Sequence, residues 1–430
     1  MAKTFRPYVP EQDFLLPPSL REWLPSDHLA YFVSDLVDQL DLAAIVAPYE
    51  REERGFPPYH PVMLTKVLLY AYCVGVFSSR KIQRRLTEDV AFRVLAAENQ
   101  PDFRTIADFR QRHLAALEGL FVQVLRLARE AGALRVGRVA IDGSKLRANA
   151  SKHKAMSYKR MVEKEQQLTQ EVHHLLTQAT ATDEQEDTQY GRDRRGDDLP
   201  EELRRRETRL ARIREAKRVL EARADEQAEA KGQDPERAAP EDKAQYNFTD
   251  PESRIMKGPD GFVQAYNAQI AVEPTCQLIV GQAVTQAVND KQQLAPMVET
   301  IASQSDAVPD EVLADSGYCS DANLVYLAAR HIDGYVATGR VKHDAPAPPC
   351  RGPLPPHATL TDRMRRKLQT KRGAAVYRWR KAIVEPVFGQ MKHGRGFRQF
   401  LLRGLEKVRG EWSLLCLTHN ILKCYGLIYR

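Results

Sequence analysis

Residues 138–144 read Arg138-Val139-Ala140-Ile141-Asp142-Gly143-Ser144, and the fold turns on how this stretch is read. A short apolar run closed by an acid and a glycine predicts a buried strand over residues 134–142, with Asp142 at its end. A carboxylate delivered by a buried strand is costly to desolvate without a counter-charge. The chain repeats the device at Val312-Leu313-Ala314-Asp315-Ser316-Gly317-Tyr318. A third acid, Glu385, sits in the helix-like run Ala382-Ile383-Val384-Glu385-Pro386-Val387-Phe388-Gly389-Gln390-Met391-Lys392. Three such acids at one site repel one another unless cations lie between them. Carboxylate oxygens suit a hard cation such as Mg²⁺, and two such ions roughly 3.5–4 Å apart support in-line attack on a phosphodiester.

Outward from these acids the chain alternates strand and helix signals. Residues 262–272 alternate in polarity and end at Glu273-Pro274-Thr275, a turn signal; residues 277–284 read as the paired strand. Asn289, Asp290 and Gln293 predict a capped helix start, with the helix running to about residue 303. Residues 311–315 make a fourth strand, 320–330 a helix and 334–339 a fifth strand. The result is an α/β chain with a mixed five-stranded sheet, its first three strands antiparallel and the rest parallel through helical crossovers. The proline-rich residues 346–356 read as a loop, followed by helices over 374–392 and 401–425.

Residues 1–133 read as an all-α region. Pro61 is placed to open a helix, and residues 78–86 and 103–113 form two short basic helices in succession. That pattern fits either a helix-turn-helix or two amphipathic surface helices. Residues 134–430 hold the sheet, interrupted by residues 151–245, rich in Glu, Arg, Gln and Ala. Within this insertion, 163–176 and 200–225 read as charged helices, and 179–198 as a polar, acidic segment too poor in apolar residues to pack. The insertion reads as a helical hairpin arm, solvated outside, suited to dimerisation or to DNA contact.

Charge narrows the partner. The net charge is +7 and the isoelectric point about 9.0, which favours a polyanion. The excess is local: residues 361–430 hold 17 Lys and Arg against 4 Asp and Glu, while 151–245 hold 20 against 22. The positive charge therefore concentrates around Glu385. The six cysteines, Cys73, Cys276, Cys319, Cys350, Cys416 and Cys424, form no C-x-x-C pair, which argues against a zinc ribbon and for reduced thiols. No apolar stretch reaches membrane-span length, and Met1-Ala2-Lys3-Thr4-Phe5-Arg6 lacks a signal-peptide core.

Through Ala140-Ile141-Asp142-Gly143-Ser144, Ala314-Asp315-Ser316-Gly317-Tyr318 and Val384-Glu385-Pro386-Val387-Phe388-Gly389, in that order, the chain resembles a DDE transposase of bacterial insertion sequences. The resemblance implies an RNase H-like catalytic core in which Asp142, Asp315 and Glu385 are both catalytic residues and metal ligands. They would hold Mg²⁺, with Mn²⁺ as the alternative. It implies double-stranded DNA as partner, both the terminal inverted repeats of the element and target DNA, and a homodimer in the DNA complex. The protein would be cytoplasmic and nucleoid-associated when bound. It also favours DNA binding by the N-terminal helices, through Arg80, Lys81, Arg84, Arg85, Arg104 and Arg110. Two rival readings are an RNase H-like nuclease without strand transfer and a transposase-derived DNA-binding regulator.

The stretch around Glu385 partly matches the family signature Tyr-x2-Arg-x3-Glu-x6-Lys. Glu385 and Lys392 have the right separation, Lys381 stands where arginine is expected, and Tyr377 lies one residue early. At roughly 100° per residue, Tyr377, Lys381, Glu385 and Lys392 fall within about an 80° arc. Arg378 shares that side and Arg380 points further away. Tyr377, Arg378, Lys381 and Lys392 are therefore the expected DNA contacts beside Glu385. Pro386 predicts a kink, because the residue before a proline disfavours the helical conformation.

Overall fold

Among the described residues seven α-helices come first: α1 (Leu29–Asp38), α2 (Ala43–Glu50), α3 (Pro61–Cys73), α4 (Ser79–Glu88), α5 (Val90–Leu95), α6 (Phe103–Arg112) and α7 (Leu114–Glu130). The computed structural model describes residues 19–51, 57–151, 154–190, 201–230, 232–235, 238–258, 261–339, 352, 354 and 357–429. Pro61 is the first residue of α3, where its missing N–H is no loss, and the His60 ring accepts from the Val62 amide at 3.3 Å. Helices α4 and α6 pack on one another, but α5 intervenes, so the two basic helices are not joined by a short turn. Asp89 caps α5 through the Ala91 amide at 3.0 Å, which explains why a third helix fits into so short a connection.

Next come β1 (Arg138–Arg147), β2 (Ala155–Ser157), α8 (Tyr158–Tyr190), α9 (Glu201–Ala230), β3 (Gln245–Asn247), β4 (Arg254–Gly258), β5 (Gly261–Val272), β6 (Ile279–Thr285), α10 (Leu294–Ser305), β7 (Glu311–Ala314), α11 (Asp321–Ala329), β8 (Asp333–Val336), α12 (Leu360–Gln369), α13 (Lys371–Gly389) and α14 (Leu405–Tyr429). Among the described residues the main sheet has six strands rather than five. β1 is parallel to β7 on one side and antiparallel to β5 on the other, and β8 extends the parallel side. β5 is twelve residues long and carries β4 along its first part and β6 along its second. The extra strand, Arg254-Ile255-Met256-Lys257-Gly258, has too little alternation to announce itself; length on β5 gives it a partner. β2 and β3 form a separate two-stranded ribbon at the root of the insertion.

The insertion is a helical hairpin with its own small core of Met161, Leu168, Leu210, Ile213, Ala216 and Leu220. The segment expected to be unpacked from residue 179 continues α8 as helix to Tyr190; residues 191–200, and most of the proline-rich segment 346–356, lie outside the described residues. Elsewhere one continuous core joins the N-terminal helices to the sheet. α14 is its centre. It is buried from Gly410 through Ile421 and packs against α3, α7 and β6. Trp412 Nε1 donates to the Gln269 carbonyl at 3.2 Å, and Asn420 Oδ1 accepts the Ile279 amide at 2.8 Å, so α14 is fastened to β5 and β6. Buried Glu411 accepts from the Leu401 and Leu402 amides at 2.9 and 3.0 Å. The five described cysteines are unbridged.

α13 lies across β1, β5, β7 and β8. It runs through Pro386 without a break and then passes into a π-helical turn at Gln390–Gly394. The proline removes the amide that would serve the Ala382 carbonyl. Gln277, in the turn before β6, donates its side-chain amide to that carbonyl at 3.1 Å, which relieves the local cause of the expected kink. The irregularity appears one turn later, in the π-turn that carries Lys392.

Candidate active site

Asp142 lies inside β1, not at its end. The reason is that β1 has two neighbours of different reach. Its parallel pairing with β7 stops at Ile141↔Ala314, whereas its antiparallel pairing with β5 continues to Arg147. Asp142, still within β1, and Asp315, the first residue after β7, are therefore the next residues beyond the last parallel pair. Asp142 Oδ1 accepts from the Gly143 amide at 2.8 Å. Asp315 opens a short 3₁₀ turn, Ser316–Tyr318, and accepts from the Gly317 amide at 2.8 Å. Burial pushes the Asp142 carboxyl above its ordinary pKa; Arg380 pulls it back, and the negative charge of Asp315 adds to the rise.

Arg380 corrects the helical-wheel reading, which turned it away from the site. It is buried on the face of α13 that meets the sheet, and its Nη1 lies 3.2 Å from Asp142 Oδ2, the two side chains being 10% and 18% exposed. Burial works against the Arg380 charge, and Asp142, Tyr377 and Asp315 together more than offset it. Tyr377 is half-buried beside it, its hydroxyl pKa raised by burial and lowered in part by Arg380. Lys392 reaches the same strand: Nζ meets Ser144 Oγ and stands 5.0 Å from the centroid of the Phe388 ring. Burial lowers its pKa, with Asp142 opposing. Arg378, Lys381 and Glu385 are exposed on α13. Of the arginines near Glu385, Arg380 is the one whose guanidinium meets Asp142.

Asp290, which the sequence suggested as a helix cap, lies at the site instead. Its carboxylate takes Lys145 Nζ at 3.1 Å, and Asn267 Nδ2 and Gln269 Nε2 at 2.7 Å each. Gln269 also accepts from the Tyr318 hydroxyl. The register Gly143↔Gln269 and Lys145↔Asn267 puts this network on the sheet face opposite the one carrying Asp142 and Ser144, since side chains alternate. It comes near the second acid all the same: Asp315 Oδ1 and Asp290 Oδ2 lie 3.0 and 3.5 Å from the point where a Cβ on Gly317 would stand. The sequence offered no signal for it, because Lys145, Asn267 and Asp290 meet only through β1–β5 pairing.

Gly143 makes room for the network. A Cβ there would lie 2.3 Å from Gln269 Nε2 and 2.9 Å from Asp290 Oδ1. Gly143→Ala is expected to lower stability by about 1–3 kcal/mol through overpacking, read as a shift of the denaturant midpoint. An unchanged midpoint would mean that the network yields freely.

The basic residues of the N-terminal helices divide. Arg80, Lys81, Arg84, Arg85 and Arg104 are exposed, with Arg84 and Arg85 forming i,i+4 pairs to Glu88 and Asp89 at 3.2 and 3.4 Å. Arg110 is the exception: it is 5% exposed and donates to the Tyr72 hydroxyl and the Phe77 carbonyl at 3.1 and 2.9 Å. It belongs to the α3–α6 packing and not to a surface, because its position on α6 faces inward with Ile106 and Phe109.

The donor set at Asp142 and Asp315 is all carboxylate oxygen, which fits a hard divalent cation. Glu385 is brought to the helix covering the pair and not into contact with it. Among the described residues no three His, Cys, Asp or Glu side chains converge closely enough to hold an ion as they stand. Among the described helices none is long and apolar enough to cross a membrane.

Two protein-family models match the chain. A transposase domain model matches residues 18–112, the helices α1 to α6, and a transposase DDE domain model matches residues 354–425, which hold α12, α13 and most of α14. Neither covers Asp142 or Asp315. No curated protein and no solved structure matches the chain. One transposase model thus matches the N-terminal helices and another the helix that bears Glu385, and together the two matches support a DDE transposase of the insertion-sequence type.

Proposed function

We propose that the protein cuts and joins DNA at the inverted-repeat ends of its own insertion sequence, using Asp142, Asp315 and Glu385 as an acid triad in an RNase H-like core. The observation that carries this reading is the pair Asp142–Asp315 just past the β1–β7 pairing, with the Glu385 helix laid across it. The sheet order β6-β5-β1-β7-β8, antiparallel then parallel, supports the core assignment.

Asp142 and Asp315, with Glu385 closing from α13, would hold Mg²⁺ or Mn²⁺. Such ions activate the attacking oxygen and stabilise the leaving one. Arg380 neutralises Asp142 within the protein and keeps its carboxylate oriented. Lys392, placed by the π-turn beside Ser144, supplies a positive charge for a phosphate of the scissile strand. Arg378 and Lys381 extend that charge along the exposed side of α13. The exposed basic residues of α4 and α6 take the phosphates of the terminal repeats, positioning the end relative to the acids. DNA-bound protein would be nucleoid-associated, and a homodimer would hold the two ends together.

The test is an assay on linear DNA bearing the repeats that flank the gene. Divalent-metal-dependent nicking at the repeat boundary, followed by joining of the 3′ end to a second duplex, is the expected result. Cleavage without joining would favour a nuclease, and specific binding without cleavage a regulator. For the end-binding surface, Lys81→Ala with Arg84→Ala is expected to flatten the dependence of log affinity on log salt by about 2 units, one for each phosphate left without its cationic partner. The same slope in the variant would put those residues in solvent.

A further inference from the structure

The basic residues of α9 face two ways. Some are turned toward α8 and meet its acids: Arg206 meets Glu171 at 3.0 Å, and Arg214 and Lys217 both meet Glu165 at 3.1 Å. Others, Arg205, Arg209 and Arg212, line a groove of about 650 Å³ together with Lys154, Met156 and Phe248. The three arginines and Lys154 are exposed. Among the described residues no Asp or Glu lines this groove, although the insertion as a whole holds slightly more acids than bases. Around Arg209, Arg212 and Lys154 the described lining is basic and apolar, unlike a solvated helix surface, where both signs intersperse.

The groove is tied to the catalytic strand. The Lys154 carbonyl accepts from the Phe248 amide at 3.0 Å where β2 meets β3. β1 runs from Asp142 to Arg147, about 17 Å of strand, and then leads into this root. The Asn149 side-chain amide donates to the Leu401 carbonyl at 2.7 Å, and Arg403 donates to the Asn149 carbonyl at 2.8 Å. The root therefore leans on the loop that follows the Lys392 turn.

From this placement we infer that the α9 groove is a second DNA-binding surface, which grips the sugar-phosphate backbone of duplex DNA beyond the scissile position. The inference rests on the transposase reading above. Charge complementarity selects the occupant. Guanidinium groups bind phosphate in bidentate fashion. Arg205, Arg209 and Arg212 recur at i, i+4 and i+7, and span about 10 Å of helix, about three phosphates of rise along one strand. Met156 and Phe248 give the groove an apolar floor against which sugars pack. The contact inferred is with the backbone, and backbone contacts carry no sequence information.

The experiment compares full-length wild type, Arg209→Ala/Arg212→Ala, and the control Arg214→Ala/Lys217→Ala, whose charges face Glu165. Binding to a duplex several helical turns long is measured by fluorescence anisotropy across a salt series, with sedimentation of each protein without DNA. The groove variant is expected to lose about 2 units of slope in log affinity against log salt, on specific and random duplexes alike, while the control keeps the wild-type slope. An unchanged slope in the groove variant overturns the inference and leaves the transposase reading intact. So does a loss of self-association with the slope preserved, which would assign the groove to a second copy of the chain. Absence of salt-sensitive DNA binding by wild type would overturn both.

Discussion

Cleavage by Asp142→Asn or Asp315→Asn is expected to fall by on the order of 10⁴-fold or more, with the folded state retained. Losses of that size are typical when one member of a group that acts as a unit is removed. The two carboxylates stand next to each other past the last parallel pair of β1 and β7, and each is held by a neighbouring backbone amide. Asparagine keeps the shape and removes the charge; in Asp142→Asn this also leaves Arg380 without its ion-pair partner, so that variant is expected to be less stable than Asp315→Asn while still folding. Because both acids serve one centre, the double variant should be hardly worse than either single one. Glu385→Gln is expected to fall with them, although Glu385 is exposed, because in the proposed triad Glu385 would be the third carboxylate holding the metal. Rates measured in single-turnover cleavage of a pre-bound end decide the matter. Near-native, metal-dependent cleavage in any of the three would remove that residue from the triad.

Arg380→Ala has the second large effect, and it is on stability. Removing one partner of a buried ion pair leaves an uncompensated charge, at a cost of roughly 3–5 kcal/mol. The Asp142 side chain is 18% exposed and that of Arg380 10%, so a loss near the lower end, about 3 kcal/mol, is expected. The carboxylate can lose part of that penalty by taking a cation. The variant's melting temperature should therefore rise with added Mg²⁺ more steeply than that of wild type, by the linkage of binding to folding. Asp142→Asn/Arg380→Ala should recover much of the loss and show no Mg²⁺ response. If Arg380→Ala melts like wild type with no metal dependence, the ion pair contributes nothing to either the fold or the site. Arg380→Lys separates charge from geometry: it restores the charge without the forked donors.

The sequence by itself determined the strands that deliver the acids, and the reason is local. Val139-Ala140-Ile141 and Val312-Leu313-Ala314 are too apolar to lie anywhere but inside, so the carboxylate at the end of each run has to emerge at a defined place on a sheet. It also determined that a helix, read over residues 374–392, carries Glu385, and that α3 opens at Pro61, both set by short-range backbone preferences. The hairpin character of the insertion followed from its composition.

Tertiary structure alone decided which charged groups meet. Asp142 falls inside β1 because β5 outlasts β7 as a partner, a matter of pairing that no single strand encodes. Asp290 reaches the site from the turn before α10 because Lys145, Asn267 and Gln269 are aligned across β1 and β5. Arg110 is lost to the interior because α6 packs on α3. Arg380 is drawn in because the apolar face of α13 covers the sheet, with Val376, Ile383, Val384 and Val387 buried around it. A helical wheel gives only relative angles within one helix. Which angle faces the protein is fixed by burial of that apolar stripe, and burial is a property of the assembled layers, since the hydrophobic stabilisation depends on the area removed from water and not on the order of residues in the chain.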